Sequence, residues 1–270
     1  MSIDGSNITT VLCDLDGVIW LSHDPIEGAA DAVAAIRSSG RRVLFVTNNS
    51  ASLVAEHEQA LADVGIDAHG DVVSSAMAGA ALVEAGERVL VAGGPGIVEA
   101  VEARGAVAVL NDGESLHDDV DAVLVGLHRE FDYARLRTAA RAVIAGARLI
   151  GTNGDTTYPT PTGLDPGGGS LVVAVATVAG VDPSYGGKPH TPMADVIVDR
   201  LSDGDDRFDS SHALMVGDRP DTDGLFAQRL GSPFALVRTG VVGPDDSPDA
   251  DVPVALDVAD LSAVADALLA

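Results

Sequence analysis

Short apolar segments alternate with alanine-rich segments along the whole chain, and this alternation constrains the fold more than any other feature of the sequence. The apolar segments are rich in β-branched residues and predict strands, whereas the alanine-rich segments predict helices. The predicted strands are residues 9–13, 43–46, 89–92, 106–110, 122–127, 149–151, 213–216 and 234–237. The predicted helices are residues 29–38, 52–64, 96–103, 133–145, 169–179, 191–201, 222–230 and 261–268. Buried strands that alternate with helices indicate an α/β fold with a mostly parallel sheet, which binds ligands at the carboxyl ends of its strands.

The acidic composition limits the partners that this chain can bind. Its 270 residues include 41 Asp+Glu and 16 Lys+Arg, which give a formal net charge of -25. Such a negative potential repels nucleic acid and anionic lipid surfaces, so neither is an expected partner. The hydrophobic fraction of 46% argues against disorder despite the high charge.

The sequence also predicts the compartment. It shows no signal peptide and no apolar segment of the roughly 20 residues that a membrane-spanning helix requires. The single cysteine, Cys13, cannot form an internal disulfide and is expected to be a small buried strand residue. None of the seven histidines has a partner at metal-ligand spacing, which argues against zinc. A cytoplasmic protein is therefore expected.

Four polar segments carry the residues best suited to chemistry. They are DLDGVIW at 14–20, TNNS at 47–50, GGKP at 186–189 and GDRPDTD at 217–223. The two carboxylates of the first segment repel each other, so a shared pocket would need a cation, a shared proton or both. The glycines of the third segment would let the chain approach a ligand closely, and its Lys188 is the only lysine of the chain.

Together these segments supply a carboxylate nucleophile, a carboxylate acid/base, a hydroxyl donor, a lysine and the oxygen ligands that Mg²⁺ prefers. That set suits phosphoryl transfer through an aspartyl-phosphate. Each segment alone has a simpler interpretation, since Asp-x-Asp is often a turn and Thr-Asn-Asn-Ser is an ordinary helix N-cap. Their order along the chain favours the catalytic interpretation.

In this order the segments resemble the four motifs of the haloacid dehalogenase (HAD) superfamily, and most closely those of its NagD-like, p-nitrophenylphosphatase-like phosphatases. Residues 125–127, 131–133, 152–155, 159–160 and 163–164 resemble the α/β cap that this subfamily inserts between its second and third motifs. The resemblance implies a Rossmann-like core with a mostly parallel sheet, formed by residues 1–85 and 183–270. It also implies a smaller inserted α/β cap domain at residues 86–182.

The resemblance implies a role for each acidic motif residue. Asp14 would be the nucleophile that becomes phosphorylated and a ligand of Mg²⁺. Asp16 would protonate the leaving group and then activate water, and its carbonyl oxygen would contact the metal. Asp218 would bind Mg²⁺ directly, whereas Asp223 would act on the metal through water or hydrogen bonds.

The remaining motif residues are implied to bind phosphate. Thr47 and Lys188 would bind the transferring phosphoryl group, and Asn48 would position the nucleophile and the phosphate. The backbone near Gly17 would add N–H donors. The implied enzyme is a Mg²⁺-dependent phosphatase of small phosphomonoesters that forms an aspartyl-phosphate on Asp14.

The cap would close over the site, exclude water and supply the pocket of the leaving group. Residues 157–160 would form its tip, where Tyr158 is the predicted substrate contact; the alternative for this segment is a rigid proline-braced turn. The chain departs from the subfamily at His128 and Gly154 and carries His190 after the lysine motif, which leaves the substrate open. Glycerol phosphate, sugar phosphates, nucleoside monophosphates and pyridoxal phosphate all fit, and a homodimer through the cap is expected.

Two other classes of protein remain as alternatives. A phospho-accepting signalling domain also clusters aspartates, a threonine and a lysine around Mg²⁺, but it has roughly 120 residues and no cap. It also gives no reason for Asp16, the acid/base that turnover requires. A binding protein on the same fold without efficient turnover is the second alternative, and the presence of Asp14, Asp16, Lys188 and Asp218 argues against it.

Overall fold

The computed structural model describes residues 5–21, 24–160, 163–202, 207–247 and 252–270, and only the backbone of residues 159 and 160. The strands are β1 (Thr10–Cys13), β2 (Trp20–Leu21), β3 (Asp24–Pro25), β4 (Arg42–Thr47), β5 (Val72–Ser74), β6 (Arg88–Ala92), β7 (Val107–Leu110), β8 (Ala122–Val125), β9 (Arg148–Gly151), β10 (Thr157–Thr160), β11 (Gly163–Pro166), β12 (Ser184–Tyr185), β13 (Ala213–Gly217), β14 (Phe234–Val237) and β15 (Leu256–Val258). The helices are α1 (Ala29–Ser38), α2 (Val54–Asp63), α3 (Ser75–Ala80), α4 (Pro95–Ala103), α5 (Tyr133–Ile144), α6 (Gly168–Ala179), α7 (Thr191–Leu201), α8 (Leu225–Leu230) and α9 (Leu261–Leu269).

Contacts between Cα atoms divide the chain into two compact units. The first unit comprises Met1–Thr47, Ala55–Val73 and Lys188–Ala270, and the second comprises Asn48–Val54 and Ser74–Gly187. The assignment of residues 1–85 and 183–270 to a catalytic core and of 86–182 to a cap stays a prediction.

The first unit is built on a sheet with the strand order β15-β14-β13-β1-β4-β5. The central strand β1 pairs in parallel with both β13 and β4, and β13 and β14 continue the parallel pairing outward. Every residue of β1 and β13 is buried, as expected of strands covered on both faces of a parallel sheet. The mostly parallel α/β fold expected from the sequence is thus confirmed.

The second unit has its own parallel sheet, with the strand order β12-β9-β8-β6-β7. Successive residues of β6 enter different cores, because side chains alternate across a strand. Leu90 packs with α5 and α6 on one face, whereas Val89 packs with α3 and α4 on the other. An antiparallel hairpin of β10 and β11 also belongs to this unit.

The structure corrects several predicted elements. The helix predicted at 222–230 begins instead with a π-helical turn at Pro220–Gly224 and continues as α8. The strand predicted at 122–127 ends at Val125, and the helix predicted at 52–64 begins at Val54. Helix α3 was not predicted, because its segment SAMAGA consists mostly of small residues and carries no helical hydrophobic pattern. Within the described part of the chain, none of the helices has the length and apolar character needed to cross a membrane.

Candidate active site

Three of the sequence motifs lie at one edge of the first unit's sheet. Asp14 directly follows β1, Thr47 is the last residue of β4, and Asp218 directly follows β13. Since β4, β1 and β13 are adjacent and parallel, their carboxyl ends lie at the same edge. The sheet therefore brings together the predicted nucleophile, a predicted phosphate-binding hydroxyl and a predicted metal ligand.

Lys188 lies between two carboxylates of the site. Its Nζ is 2.8 Å from Asp14 Oδ1 and 2.8 Å from Asp223 Oδ1, and it donates a hydrogen bond of 3.0 Å to the carbonyl of Val46. The lysine side chain is only 1% exposed. Burial alone would lower the pKa of Lys188, but the charges of the two aspartates and the hydrogen bonds to them raise it above its usual range. The ammonium group therefore stays charged inside the site.

Asp14, Asp218 and Asp223 form a buried carboxylate cluster. Each offers an oxygen that lies within 4.8 Å of the others. Burial and mutual repulsion raise the pKa of Asp218 to about 8 and the pKa of Asp223 to about 6, although Lys188 opposes the rise at Asp223. Burial also raises the pKa of Asp14, against the opposing charge of Lys188. A cluster with these shifts is poised to exchange protons for a cation.

Asp218 shows that the cluster fits a metal ion. Its Oδ2 accepts a hydrogen bond of 2.6 Å from the N–H of Val241, but its buried Oδ1 has no hydrogen-bond partner among the described residues. A buried carboxylate oxygen without a partner is costly unless a cation or water satisfies it. Carboxylate oxygens are also the ligands that Mg²⁺ prefers.

Two glycines make room for the Asp218 carboxylate. A Cβ atom at Gly17 would lie 2.4 Å from Asp218 Oδ2, and one at Gly240 would lie 1.9 Å from the same oxygen. Gly17 also has a φ of +83°, which few other residues adopt. The backbone at both positions therefore packs against the predicted metal ligand.

The turn uses one backbone donor near Gly17. The N–H of Gly17 donates a hydrogen bond of 2.7 Å to the carbonyl of Trp20. The predicted binding of phosphate by backbone N–H groups near Gly17 stays a prediction. The role that the geometry gives Gly17 is the close approach to Asp218.

Asp16 is exposed, in contrast to the buried carboxylate cluster. Its Oδ1 accepts a hydrogen bond of 3.1 Å from the indole Nε1 of Trp20, which is itself only 3% exposed. The turn between β1 and β2 places Asp16 close enough to Asp14 for its charge to raise the pKa of Asp14. An exposed carboxylate beside a buried nucleophile is suited to exchange protons with substrate and water.

Asp223 is held by hydrogen bonds on both oxygens. Oδ1 contacts Lys188, and Oδ2 accepts a hydrogen bond of 3.2 Å from the backbone N–H of Arg219. This arrangement matches the predicted indirect role of Asp223 better than direct metal binding.

Asn48 and Tyr158, the other predicted site residues, belong to the second unit. The amide Nδ2 of Asn48 donates a hydrogen bond of 2.9 Å to Asp155 Oδ2. Tyr158 is partly exposed and lies in β10, where it pairs with Asp165 of β11. The segment is thus a strand of a hairpin, and the predicted substrate contact of Tyr158 stays a prediction.

The glycines before Lys188 have a different role from the one predicted. A Cβ atom at Gly186 would lie 2.3 Å from the backbone nitrogen of Gly79, and one at Gly187 would lie 2.6 Å from the carbonyl oxygen of Thr152. These glycines are needed for close packing of the chain against itself, so the interpretation that they make room for a ligand is not supported.

Sequence reasoning missed the segment that follows β14. Thr239 Oγ1 donates a hydrogen bond of 2.5 Å to the carbonyl of Gly17, and Val241 donates to Asp218 as described above. The sequence signal that could have identified this segment was its position directly after a predicted strand, at the edge of the sheet where ligands bind. The segment thus braces both the Asp14–Gly17 turn and the predicted metal ligand.

Comparison with known proteins agrees with this geometry. The family model described as haloacid dehalogenase-like hydrolase matches residues 11–107, and a second model of HAD-like hydrolases matches residues 185–263. The D-glycerol 3-phosphate phosphatase of Mycobacterium tuberculosis is 39% identical over 86% of this chain, which spans 63% of that relative's length. The acid sugar phosphatase of Staphylococcus saprophyticus is 34% identical over 96% of this chain and 97% of its own length.

Solved structures show the same relationship. A hypothetical protein from Pyrococcus horikoshii is 30% identical, with a TM-score of 0.87 over 97% of this chain and 100% of its own. A glycerol phosphate phosphatase from Mycobacterium tuberculosis, solved in complex with magnesium, is 36% identical, with a TM-score of 0.78 over 89% of this chain and 71% of its own. The chain therefore belongs to the haloacid dehalogenase-like hydrolases, among the phosphatases of that family.

Proposed function

We propose that this chain is a Mg²⁺-dependent phosphatase that hydrolyses small phosphomonoesters through an aspartyl-phosphate on Asp14. The observation that carries the proposal is the buried contact of 2.8 Å between Asp14 and Lys188 within a cluster of three aspartates. A carboxylate next to a permanent positive charge is suited to attack an anionic phosphorus centre, because the charge offsets the repulsion between nucleophile and substrate.

The first half of the reaction uses both carboxylates of the first motif. An oxygen of Asp14 forms a bond to phosphorus while the bond from phosphorus to the leaving oxygen breaks. Asp16 donates its proton to that leaving oxygen, so the alcohol departs neutral. Lys188, Thr47 and Asn48 hold the phosphoryl oxygens as negative charge develops on them.

The second half regenerates the enzyme. Asp16, now ionised, takes a proton from a water molecule whose oxygen attacks phosphorus, and the bond between phosphorus and Asp14 breaks. Inorganic phosphate leaves, and both aspartates return to their starting states. The exposure of Asp16 supports this role, since the residue must meet the leaving group and then water.

The same cluster supports the Mg²⁺ requirement. Asp14 and Asp218 would hold the ion with the carbonyl oxygen of Asp16, and Asp223 would orient Lys188 and the Arg219 backbone beside them. When bound, Mg²⁺ supplies positive charge that screens the nucleophile from the phosphate. The buried Oδ1 of Asp218, which has no hydrogen-bond partner among the described residues, is an atom that such an ion would satisfy.

The test uses p-nitrophenyl phosphate as substrate. Purified protein should release p-nitrophenol only with Mg²⁺, should lose activity in EDTA and should be inactive as Asp14→Asn. Asp218→Asn should need far more Mg²⁺, whereas Asp221→Asn, an exposed aspartate of the same motif, should behave like the wild type. Full activity in Asp14→Asn would refute the aspartyl-phosphate.

For the physiological substrate, we propose a small phosphorylated metabolite. We expect polyol and sugar phosphates to be hydrolysed in preference to the other classes. The names of the two relatives, a D-glycerol 3-phosphate phosphatase and an acid sugar phosphatase, support this order over nucleotides and pyridoxal phosphate. Phosphate release from a panel of all four classes would test it. A clear preference for nucleotides or pyridoxal phosphate would contradict the order.

The second unit would serve as the cap, with Tyr158 as a contact to the leaving group. We also propose a homodimer through this unit, which the exposed apolar side chains on and after α6 support: Val173, Val178 and Val181 are 49%, 55% and 41% exposed. Light scattering of the wild type and of Val178→Asp would test it, since only the wild type should dimerise. The cytoplasmic location and the lack of nucleic-acid or membrane partners stay predictions.

A further inference from the structure

The loop that follows β9, residues 152–155, contacts two segments that are far from it in sequence. We call it the β9 loop. One of the segments begins at Asn48, directly after Thr47, and the other ends at Gly187, directly before Lys188. All of these contacts lie within the second unit.

Asn48 is held through both its backbone and its side chain. Asn153 Nδ2 donates a hydrogen bond of 2.7 Å to the carbonyl of Asn48, and the Asn48 amide donates one of 2.9 Å to Asp155 Oδ2. Ser75 Oγ donates a second hydrogen bond, of 2.6 Å, to the same carbonyl. The charge on Asp155 makes its bond stronger than one between neutral groups.

The β9 loop also has hydrogen bonds of its own. The backbone N–H of Asp155 donates a hydrogen bond of 3.0 Å to Asn153 Oδ1, which ties the Asn153 side chain to the backbone that carries Asp155. Thr152 is fully buried, and its Oγ1 donates a hydrogen bond of 3.0 Å to Ser50 Oγ. The loop thus holds the chain at Ser50 as well as at Asn48.

Gly187 is held by the same loop. Its N–H donates a hydrogen bond of 2.6 Å to the carbonyl of Thr152. A Cβ atom at this position would lie 2.6 Å from Asn48 Oδ1 and 2.6 Å from the Thr152 carbonyl oxygen. The segment before Lys188 therefore packs directly against both Asn48 and the β9 loop.

We propose that Asn153 and Asp155 are positioning residues for phosphate binding. They fix Asn48, and the β9 loop also fixes Gly187. The β9 loop thereby holds Asn48, which follows Thr47 in sequence, and Gly187, which precedes Lys188 in sequence. The proposal rests on the proposed function of Asn48, Thr47 and Lys188 as phosphate-binding residues. It assigns a task to two polar side chains that take no part in the chemical steps.

The test measures the affinity for inorganic phosphate with Mg²⁺ present, by titration calorimetry, because this readout does not depend on turnover. Asp155→Ala should bind phosphate about tenfold more weakly, as expected when a charge-assisted hydrogen bond is lost. Asp155→Asn keeps the shape and an acceptor oxygen, so its loss should be smaller. Asp182→Ala, an exposed aspartate of the same unit, is the matched control and should bind like the wild type.

A double variant separates positioning from a general loss of structure. If Asp155 acts through Asn48, the variant Asn48→Ala with Asp155→Ala should bind phosphate no more weakly than Asn48→Ala alone. Additive losses, or an Asp155→Ala affinity equal to that of Asp182→Ala, would overturn the proposal. Should Asp155→Ala not fold, Asp155→Asn decides, and its wild-type affinity would be the refuting result.

The outcomes also distinguish this proposal from the proposed function. If the wild type binds phosphate but does not hydrolyse p-nitrophenyl phosphate, the phosphatase proposal fails, and the affinities still decide the role of Asp155. If hydrolysis is present and Asp155→Ala binds phosphate normally, the positioning role alone fails. A wild-type protein that binds no phosphate would overturn both.

Discussion

Replacing Lys188 with methionine tests the electrostatic account of the site most directly. Methionine keeps an unbranched side chain of similar length but removes the ammonium group that contacts Asp14 and Asp223 at 2.8 Å. Removing one partner from a buried ion pair typically lowers the free energy of unfolding by about 3–5 kcal/mol, because the other charge remains buried and unpaired. Here two carboxylates lose their partner.

The loss should depend on pH, because the carboxylates can bind protons instead. The pKa of Asp223 is about 6 with Lys188 present, and it should rise further without the lysine charge that now lowers it. In the variant both aspartates then have higher pKa values in the folded than in the unfolded chain. The unfolded state binds fewer protons, so the free energy of unfolding falls as pH rises.

The wild type should lose less stability over this range. The pKa of Lys188 is raised in the folded state, so the lysine stays charged in both states between pH 5 and 8, below its unfolded pKa of about 10.4. Its charge keeps the pKa values of Asp14 and Asp223 lower than they are in the variant. The difference between variant and wild type should therefore grow with pH. We expect about 1–2 kcal/mol at pH 5 and about 3–5 kcal/mol at pH 8.

Urea unfolding in EDTA at pH 5 and pH 8 measures this difference. Trp20, the only tryptophan, is 3% exposed and belongs to the first unit, so its fluorescence follows the unfolding of the site. Arg42→Met is the control, because its partly exposed pair with Asp71 should be worth less than about 1 kcal/mol. Adding Asp223→Asn to Lys188→Met should restore part of the stability at pH 8. An equal loss at both pH values would refute the reasoning.

Three further predictions follow from the same site. Because the pKa of Asp218 is about 8 without metal, Mg²⁺ must displace a proton to bind there. The rise in Tm caused by Mg²⁺ should therefore increase from pH 6 to pH 9, and a rise that does not change with pH would contradict this. Gly240→Ala would place a methyl group 1.9 Å from Asp218 Oδ2, so half-maximal activity should require at least about tenfold more Mg²⁺. The control is Gly243→Ala, whose methyl group would lie 3.1 Å from its nearest neighbour, and its Mg²⁺ requirement should change little. Burial and the charge of Asp14 raise the pKa of the Cys13 thiol, so a chromogenic disulfide reagent should react with it only in urea; rapid reaction of the native protein would show that the strand is open.

The sequence predicted the strands and helices that carry a clear periodic pattern. Prediction from the sequence failed where tertiary contacts alone determine the conformation of an element. Helix α3 consists of small residues, and β15 (Leu256–Val258) is a short edge strand that pairs with β14. Neither has a pattern of its own, because the neighbouring elements determine its conformation.

In the candidate active site, too, some residues could be predicted and others could not. Asp14, Lys188 and Asp218 could be predicted because the chemistry requires those residue types. Val241 could not, since it acts through its backbone N–H and any residue except proline supplies that group. The bond between Asn48 and Asp155 was also beyond prediction, because it depends on which loops the fold brings together.

The central position of β1 has a consequence for how the protein is made. Strand β1 is translated first, but its neighbour β13 lies beyond the whole of the second unit in sequence. Until residues 213–217 leave the ribosome, one edge of β1 has no strand to pair with, and the residues Thr10–Cys13 are almost entirely apolar. Such an unpaired apolar edge favours aggregation. The second unit can form its parallel sheet during this interval, whereas Asp14 meets the carboxylates of Asp218 and Asp223 only when β13 is added. We therefore expect a slow final folding step, in which the catalytic machinery forms last and nascent chains depend on chaperones for protection.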